Sequence, residues 1–236
     1  MNIKTTPKKA LIFLLSIISV LLAANIAVVI LKFEVGHEGG LLLIEKLFDF
    51  NYEKSIPTLF SVLILFCTSL ILFLISISEY KRGGSSLYWY GLSFIFLFLT
   101  MDEFLEIHEN IGEFIQSHIE HHGIFFFAWV IPYGLLFIAF SFFYLRFLLQ
   151  LPRRAMWLFI ISGAIYVVGA LGFESLGGWY IEVHGEENVL YAIIYTLEEL
   201  FEILGISLFI YTLLSYAVDE FLVLDLKIEK EVPVGN

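Results

Sequence analysis

The sequence predicts an all-α fold, a polytopic membrane bundle of about six transmembrane helices with the N- and C-termini cytoplasmic. Three observations lead there. Apolar residues occupy 59% of the 236 positions, above the roughly 45–50% of soluble domains, and mean hydropathy is +0.88. They gather into six runs, at about 10–31, 57–78, 87–104, 124–149, 155–176 and 189–217, most of them near the ~20 residues that span a ~30 Å hydrocarbon layer. The basic residues alternate between the connecting segments as orientation in a membrane requires. Together the runs make a single transmembrane domain over residues 1–236.

The first run begins like a signal peptide, with Lys4, Lys8 and Lys9 ahead of Leu11. Its apolar core continues to Leu31, past the usual length of about 7–15 residues for a cleaved leader, so an uncleaved span is expected. Residues 33–56 contain LLLIEKLFDF, in which Leu42, Ile44, Leu47, Phe48 and Phe50 alternate with Glu45, Lys46 and Asp49. This pattern reads as an interfacial helix on the outer leaflet, with a lid over a site as the other reading. In the second run lies Cys67, the only cysteine, so no intrachain disulfide forms. Pro132 in FAWVIPYG removes a backbone donor and is expected to kink the fourth helix, opening space at its outer end. Gly163, Gly169, Gly172, Gly177 and Gly178 in the fifth permit close helix approach.

Of the 13 basic residues, ten fall on one side of this frame: Lys4, Lys8, Lys9, Lys81, Arg82, Arg146, Arg153, Arg154, Lys227 and Lys230. Only Lys32, Lys46 and Lys54 fall on the other. The acids distribute oppositely, so the net charge of −11 is an outward-facing field that concentrates cations and excludes nucleic acid as a partner. Tyr88, Trp89, Tyr90 and Trp157 mark the inner ends of spans, and Trp129, Trp179 and Tyr180 the outer ends, as interfacial aromatic belts do.

The chemistry is concentrated in carboxylates. On a continuous helix Asp102, Glu106, Glu109 and Glu113 share one face, with Glu103 and His108 flanking it. Glu174 lies in the fifth run; Glu198, Glu199 and Glu202 lie in the sixth. A charge at the bilayer centre costs roughly 3 kcal/mol on the lenient scale, so three in one helix oppose insertion by about 9 kcal/mol if central and unpaired. No lysine or arginine in an outer half-helix offsets them. Residue counting puts all three sets at a common depth in the outer half, which predicts that they converge with His108. Carboxylates with an imidazole suit Zn²⁺, Mn²⁺ or Fe²⁺, and carboxylates alone suit Mg²⁺ or Ca²⁺. The candidate metal ligands are therefore Asp102, Glu103, Glu106, His108, Glu109, Glu174, Glu198, Glu199 and Glu202. The ferritin-like Glu-x-x-His signature is absent. His118, His121 and His122, in a run similar to one histidine box of membrane desaturases, read as a solvated loop near the site.

The runs MDEFLEIHE, FAWVIPYG, FYLRFLLQLPRR, GALGFESLGG and TLEELFEILGISLFIYTLLSY resemble a family of uncharacterised prokaryotic six-span membrane proteins, over roughly residues 86–217. The resemblance implies the architecture and marks Asp102, Glu103, His108, Glu109, Glu174, Glu198, Glu199 and Glu202 as family-like positions; it implies no activity. Three readings stay open: a metal-dependent enzyme of the cell membrane acting on lipid, a cation or proton-coupled transporter, and a non-catalytic sensor or assembly subunit. The bilayer is the expected partner, with a lipid or small cation as ligand.

Overall fold

The computed structural model describes residues 6–36 and 40–221, which are all-α with no strand among them. The helices are α1 (Pro7–Val35), α2 (Gly40–Phe48), α3 (Ile56–Lys81), α4 (Ser86–Leu105), α5 (Ile107–Gln116), α6 (Val130–Gln150), α7 (Arg153–Val167), α8 (Glu174–His184) and α9 (Val189–Phe221). A π-helical segment, Val168–Phe173, joins α7 to α8 into one unit of 32 residues. Lys4, Lys227, Lys230 and the acidic tail beyond Phe221 lie outside the described residues.

Five units are long and apolar enough to cross a membrane: α1, α3, α6, Arg153–His184 and α9. The sixth expected run is α4, which is not among the five. Its 20 residues spend one end on Tyr88, Trp89 and Tyr90 and the other on Asp102 and Glu103, leaving a short apolar middle. Two of the long helices open on caps that satisfy their first free N–H groups: Thr6 accepts from Lys9 N ahead of α1, and Ser55 from Thr58 N ahead of α3.

Helix α9 is the centre, packed by α1, α3 and the α7–α8 unit, with Ile203 and Leu213 wholly buried. Between helices in lipid the hydrophobic effect supplies little, so association rests on close packing and interhelical hydrogen bonds. Both are present. Helices α3 and α4 cross at a reciprocal pair, Ser69 Oγ donating to the Ser93 carbonyl at 2.8 Å and Ser93 Oγ to the Ser69 carbonyl at 2.9 Å. The α7–α8 unit meets α9 at two glycines. A Cβ on Gly169 would stand 2.8 Å from the Glu198 carbonyl oxygen, and one on Gly205 would stand 2.7 Å from Tyr166 N.

Side-chain bonds define the two ends of the bundle. At one, Tyr216 donates to Glu79 at 2.9 Å, Arg82 to the Glu220 carbonyl at 2.8 Å, and Arg154 faces Asp219 at 3.7 Å. At the other, Asn25 near the end of α1 donates to Thr196 near the start of α9 at 2.9 Å. Helix α1 therefore begins, and α9 finishes, at the basic end that carries Arg82 and Arg154.

Two local expectations are corrected. Pro132 makes no kink, because α6 starts at Val130 and proline in a first turn forfeits only an N–H that has no helical partner. The acidic stripe is broken: α4 stops at Leu105, and Glu106 takes the left-handed conformation (φ 54°, ψ 41°) before α5 begins. It is the only described non-glycine residue with positive φ. Helix α2 and the residue after it bury their acids, Glu45 and Asp49 being wholly buried, while Lys46 and Leu43 are exposed, and Asp49 bonds Lys32 of α1 at 3.2 Å. The segment after α2 packs on the bundle, with Phe50 buried.

Gly169→Ala and Gly205→Ala should each destabilise the protein by about 1–3 kcal/mol, the usual cost of overpacking, because the added methyl meets backbone. Thermal unfolding in detergent reads this as a lower Tm, and Gly163→Ala, where the Cβ has open space, serves as the neutral comparison.

Candidate functional site

The carboxyl and imidazole groups of four helices and two loops line a cavity of about 1040 Å³. Asp102 and Glu103 enter from the end of α4, and His108 and Glu109 from the first turn of α5. The left-handed residue between them is what lets both pairs face inward. It bends the chain after Leu105, and Asn110 Nδ2 covers the Glu106 carbonyl at 2.5 Å. Glu174 arrives directly after the π-helical segment, and Glu198, Glu199 and Glu202 come from consecutive turns of α9. π-bulges concentrate at functional sites because they re-aim the residues that follow.

A chain of contacts ties these groups together. His108 Nδ1 lies 3.3 Å from Asp102 Oδ2, and Tyr133 of α6 donates to Asp102 Oδ1 at 2.7 Å. The imidazole packs edge-on against Trp129 with ring centres 4.9 Å apart. Trp129 Nε1 in turn donates to Glu174 Oε1 at 2.9 Å, and Glu198 faces the same cavity. Two carboxylates offer no donor to each other, so their close approach needs a proton or a cation. Eight of the nine expected residues thus meet: Asp102, Glu103, His108, Glu109, Glu174, Glu198, Glu199 and Glu202 line the cavity. Glu106 does not join them. It turns outward to Lys54 at 2.9 Å.

Glu53 completes the cluster and was not among the expected residues. It lies in the loop after α2, which Asp49 and Phe50 anchor through Lys32 and Asn25, the Phe50 N–H donating to Asn25 Oδ1 at 2.9 Å. One ligand atom each of Glu53, His108 and Glu109 lie within 4.8 Å of one another. That is slightly wider than the roughly 3–4 Å between ligand atoms around an ion bonded at about 2.1 Å. The signal in the sequence was only that an acid stood beside the NYEKSIP helix start. The histidine run remains apart: His118 and His122 are exposed, His121 is half-buried, and His122 bonds Glu182 at 2.7 Å.

Electrostatics follow from burial among like charges. Burial, then the charges of Glu103 and Glu109, push Glu53 up to about 8. For Glu109, burial and the charges of Glu106, Glu174 and Glu113 outweigh the opposing charge of His108, so this group is also raised. For His108 burial opposes the imidazolium, but the bond to Asp102 and the charges of Asp102, Glu53 and Glu103 outweigh it and push the group up to about 9. Without a metal, the cavity therefore holds its protons into the alkaline range.

The fold and cavity define a polytopic helical protein, membrane-spanning by length and composition, with an acidic, histidine-bearing site between its helices. Residues 14–217 match the family described as Domain of unknown function (DUF8692), and the chain belongs to that family. The match reaches well upstream of the motifs in residues 86–217, taking in Glu53 and its loop. No curated protein and no solved structure matches the chain.

Two outcomes follow. Both Glu53 and His108 bind protons more tightly folded than unfolded. Their stabilisation is present at low pH, and that of Glu53 is lost between its ordinary value and about 8 and that of His108 between about 6.5 and 9. The Tm of metal-free protein should fall across that window, and Asp102→Asn should return the His108 titration, followed by NMR, toward about 6.5. Glu106→Gly should raise stability by about 1 kcal/mol in chemical denaturation, since glycine relieves the left-handed strain and the lost pair with exposed Lys54 is weak.

Proposed function

We propose that the chain is a six-span protein of the cell membrane, with α4 as the sixth span and both termini cytoplasmic, whose outward-facing cavity binds a divalent metal ion. The supporting observation is the convergence of Glu53, His108 and Glu109 within 4.8 Å at a cavity that six further glutamates and Asp102 line. Zn²⁺, Mn²⁺ and Fe²⁺ suit the mixed donor set, and Mg²⁺ or Ca²⁺ suits the carboxylates. In this reading Asp102 orients His108 through Nδ1, leaving Nε2 for the ion, as metal-binding histidines are oriented elsewhere. Tyr133 and Trp129 hold Asp102 and Glu174 in place.

Bound there, a divalent ion supplies Lewis-acid polarisation of a substrate or of water. Glu103 and Glu174 then stand as proton acceptors beside the reacting group, which makes a metal-dependent membrane enzyme the preferred reading. A cation or proton-coupled transporter needs a polar route to the basic end. Past Glu202 the lining turns to Ile206, Phe209 and Phe159, which disfavours that route. A sensor or assembly subunit would use the same ion without turnover.

Elemental analysis of detergent-purified protein should find about one equivalent of divalent metal, lost in Glu53→Gln and His108→Ala and kept in Glu113→Gln, whose carboxyl is exposed outside the cavity. Affinity should rise with pH up to about 9, because the ion must displace the protons on Glu53 and His108. Wild-type protein that takes up no divalent ion at that pH sinks the reading.

A further inference from the structure

The cavity extends well beyond the carboxylates, into a region that the proposed metal chemistry does not use. Helix α6 is held to the bundle near its ends: its buried residues are Val130 at one end and Tyr144 and Phe147 toward the other. Between these points it stands off, and the cavity runs along the gap. Phe94 and Phe98 of α4 and Leu136 and Phe143 of α6 line that stretch, yet they are 71%, 41%, 63% and 66% exposed. The wall between α4 and α6 is therefore open sideways, toward the lipid.

The gap has a polar head and a closed foot. Its head is the carboxylate and histidine cluster. Its foot is Tyr144, whose hydroxyl fills the space left by Gly91 and donates to the Tyr88 carbonyl at 3.2 Å. From Asp102 to Gly91 along α4 is about 16 Å at the helical rise of ~1.5 Å per residue. A hydrocarbon chain, narrower than a helix, lies along such a gap by exchanging contacts with neighbouring lipid for contacts with Phe94, Phe98, Leu136 and Phe143.

The charge at the head selects among lipids. No lysine or arginine lines the cavity among the described residues, whereas its carboxyl groups outnumber the lone imidazole of His108. A phosphate or carboxylate headgroup would meet like charge; an amine or hydroxyl would find acceptors. Resting on the reading of the cluster as the chemical end, we propose that the substrate is a long-chain amine or alcohol that enters sideways between α4 and α6, its chain in the groove and its headgroup at the carboxylates.

The test uses full-length protein in lipid nanodiscs and a hexadecylamine carrying a mid-chain diazirine, with the carboxylate probe of the same chain as comparison. Photolabelling is mapped by mass spectrometry, and metal content is measured in the same samples. The expected result is label on α4 and α6 residues facing the gap, stronger for the amine than for the carboxylate. Ala139→Trp, which fills the gap with an indole, should reduce it to the level found on Ile12 and Phe13 of α1, with metal content unchanged. Ala139 lines the cavity and is exposed, so the larger ring strains no packed core; Leu136→Trp, equally exposed, gives a second block. Undiminished label in both variants overturns the proposal, as does label no denser in the gap than on the lipid-facing Ile12 and Phe13 of α1. So does crosslinking of α6 to a second copy that excludes the probe. Specific label in protein that never holds metal overturns the metal reading while the groove assignment stands.

Discussion

The arrangement depends on one constraint: carboxyl groups in the interior of a helical bundle cannot be left as isolated charges. Each needs a donor, a proton or a cation, and much of the local structure supplies the first of these. Tyr133 serves Asp102 and Trp129 serves Glu174, and both come from the start of α6. That helix, held by few other contacts, is thus anchored at the site end by the groups it satisfies. Removal of a donor would leave a buried acceptor unpaired, at a cost larger than the net worth of the bond it made.

Covering the cluster raises a second demand, because the lid must itself carry polar backbone and side chains. The loop after α2 meets it by tying Asp49 to Lys32 and the Phe50 amide to Asn25, which also holds Thr196. Asn25 is wholly buried in the apolar stretch of α1. Its placement makes sense as the junction of three elements: α1, the covering loop and the start of α9. The same loop then delivers Glu53, so the cover and one member of the acidic cluster are built by one segment.

Much of this was legible in the sequence because depth in a membrane can be counted. The distances of Asp102, Glu174 and Glu202 from the ends of their apolar runs predicted a common level, and the cavity brings them together. The glycine-rich fifth run predicted close approach, and Gly169 provides it. What escaped were departures from regular helical geometry. Periodicity assumes a uniform rotation per residue, so it put Glu106 on the acidic face, whereas a single left-handed residue turned it away. Glu53 escaped for a different reason: it belongs to a loop, and no periodicity reports where a loop folds back. Pro132 was misread because its effect depends on the helix start, which the apolar run placed several residues too early.

The π-helical segment before Glu174 divides the 32-residue unit Arg153–His184 into two registers. Such a segment is geometrically equivalent to one residue added to an α-helix, and each residue turns the following side chains by about 100°. The faces of α7 and α8 are consequently independent of one another. The first half can be drifted by substitution to suit its lipid neighbours without disturbing where Glu174 points, and the second can be tuned to the cavity without re-setting the basic end. Loss of a single residue between Val168 and Phe173 would merge the two registers and swing Glu174 away from Glu198, so in this chain the length of that segment carries as much information as its composition.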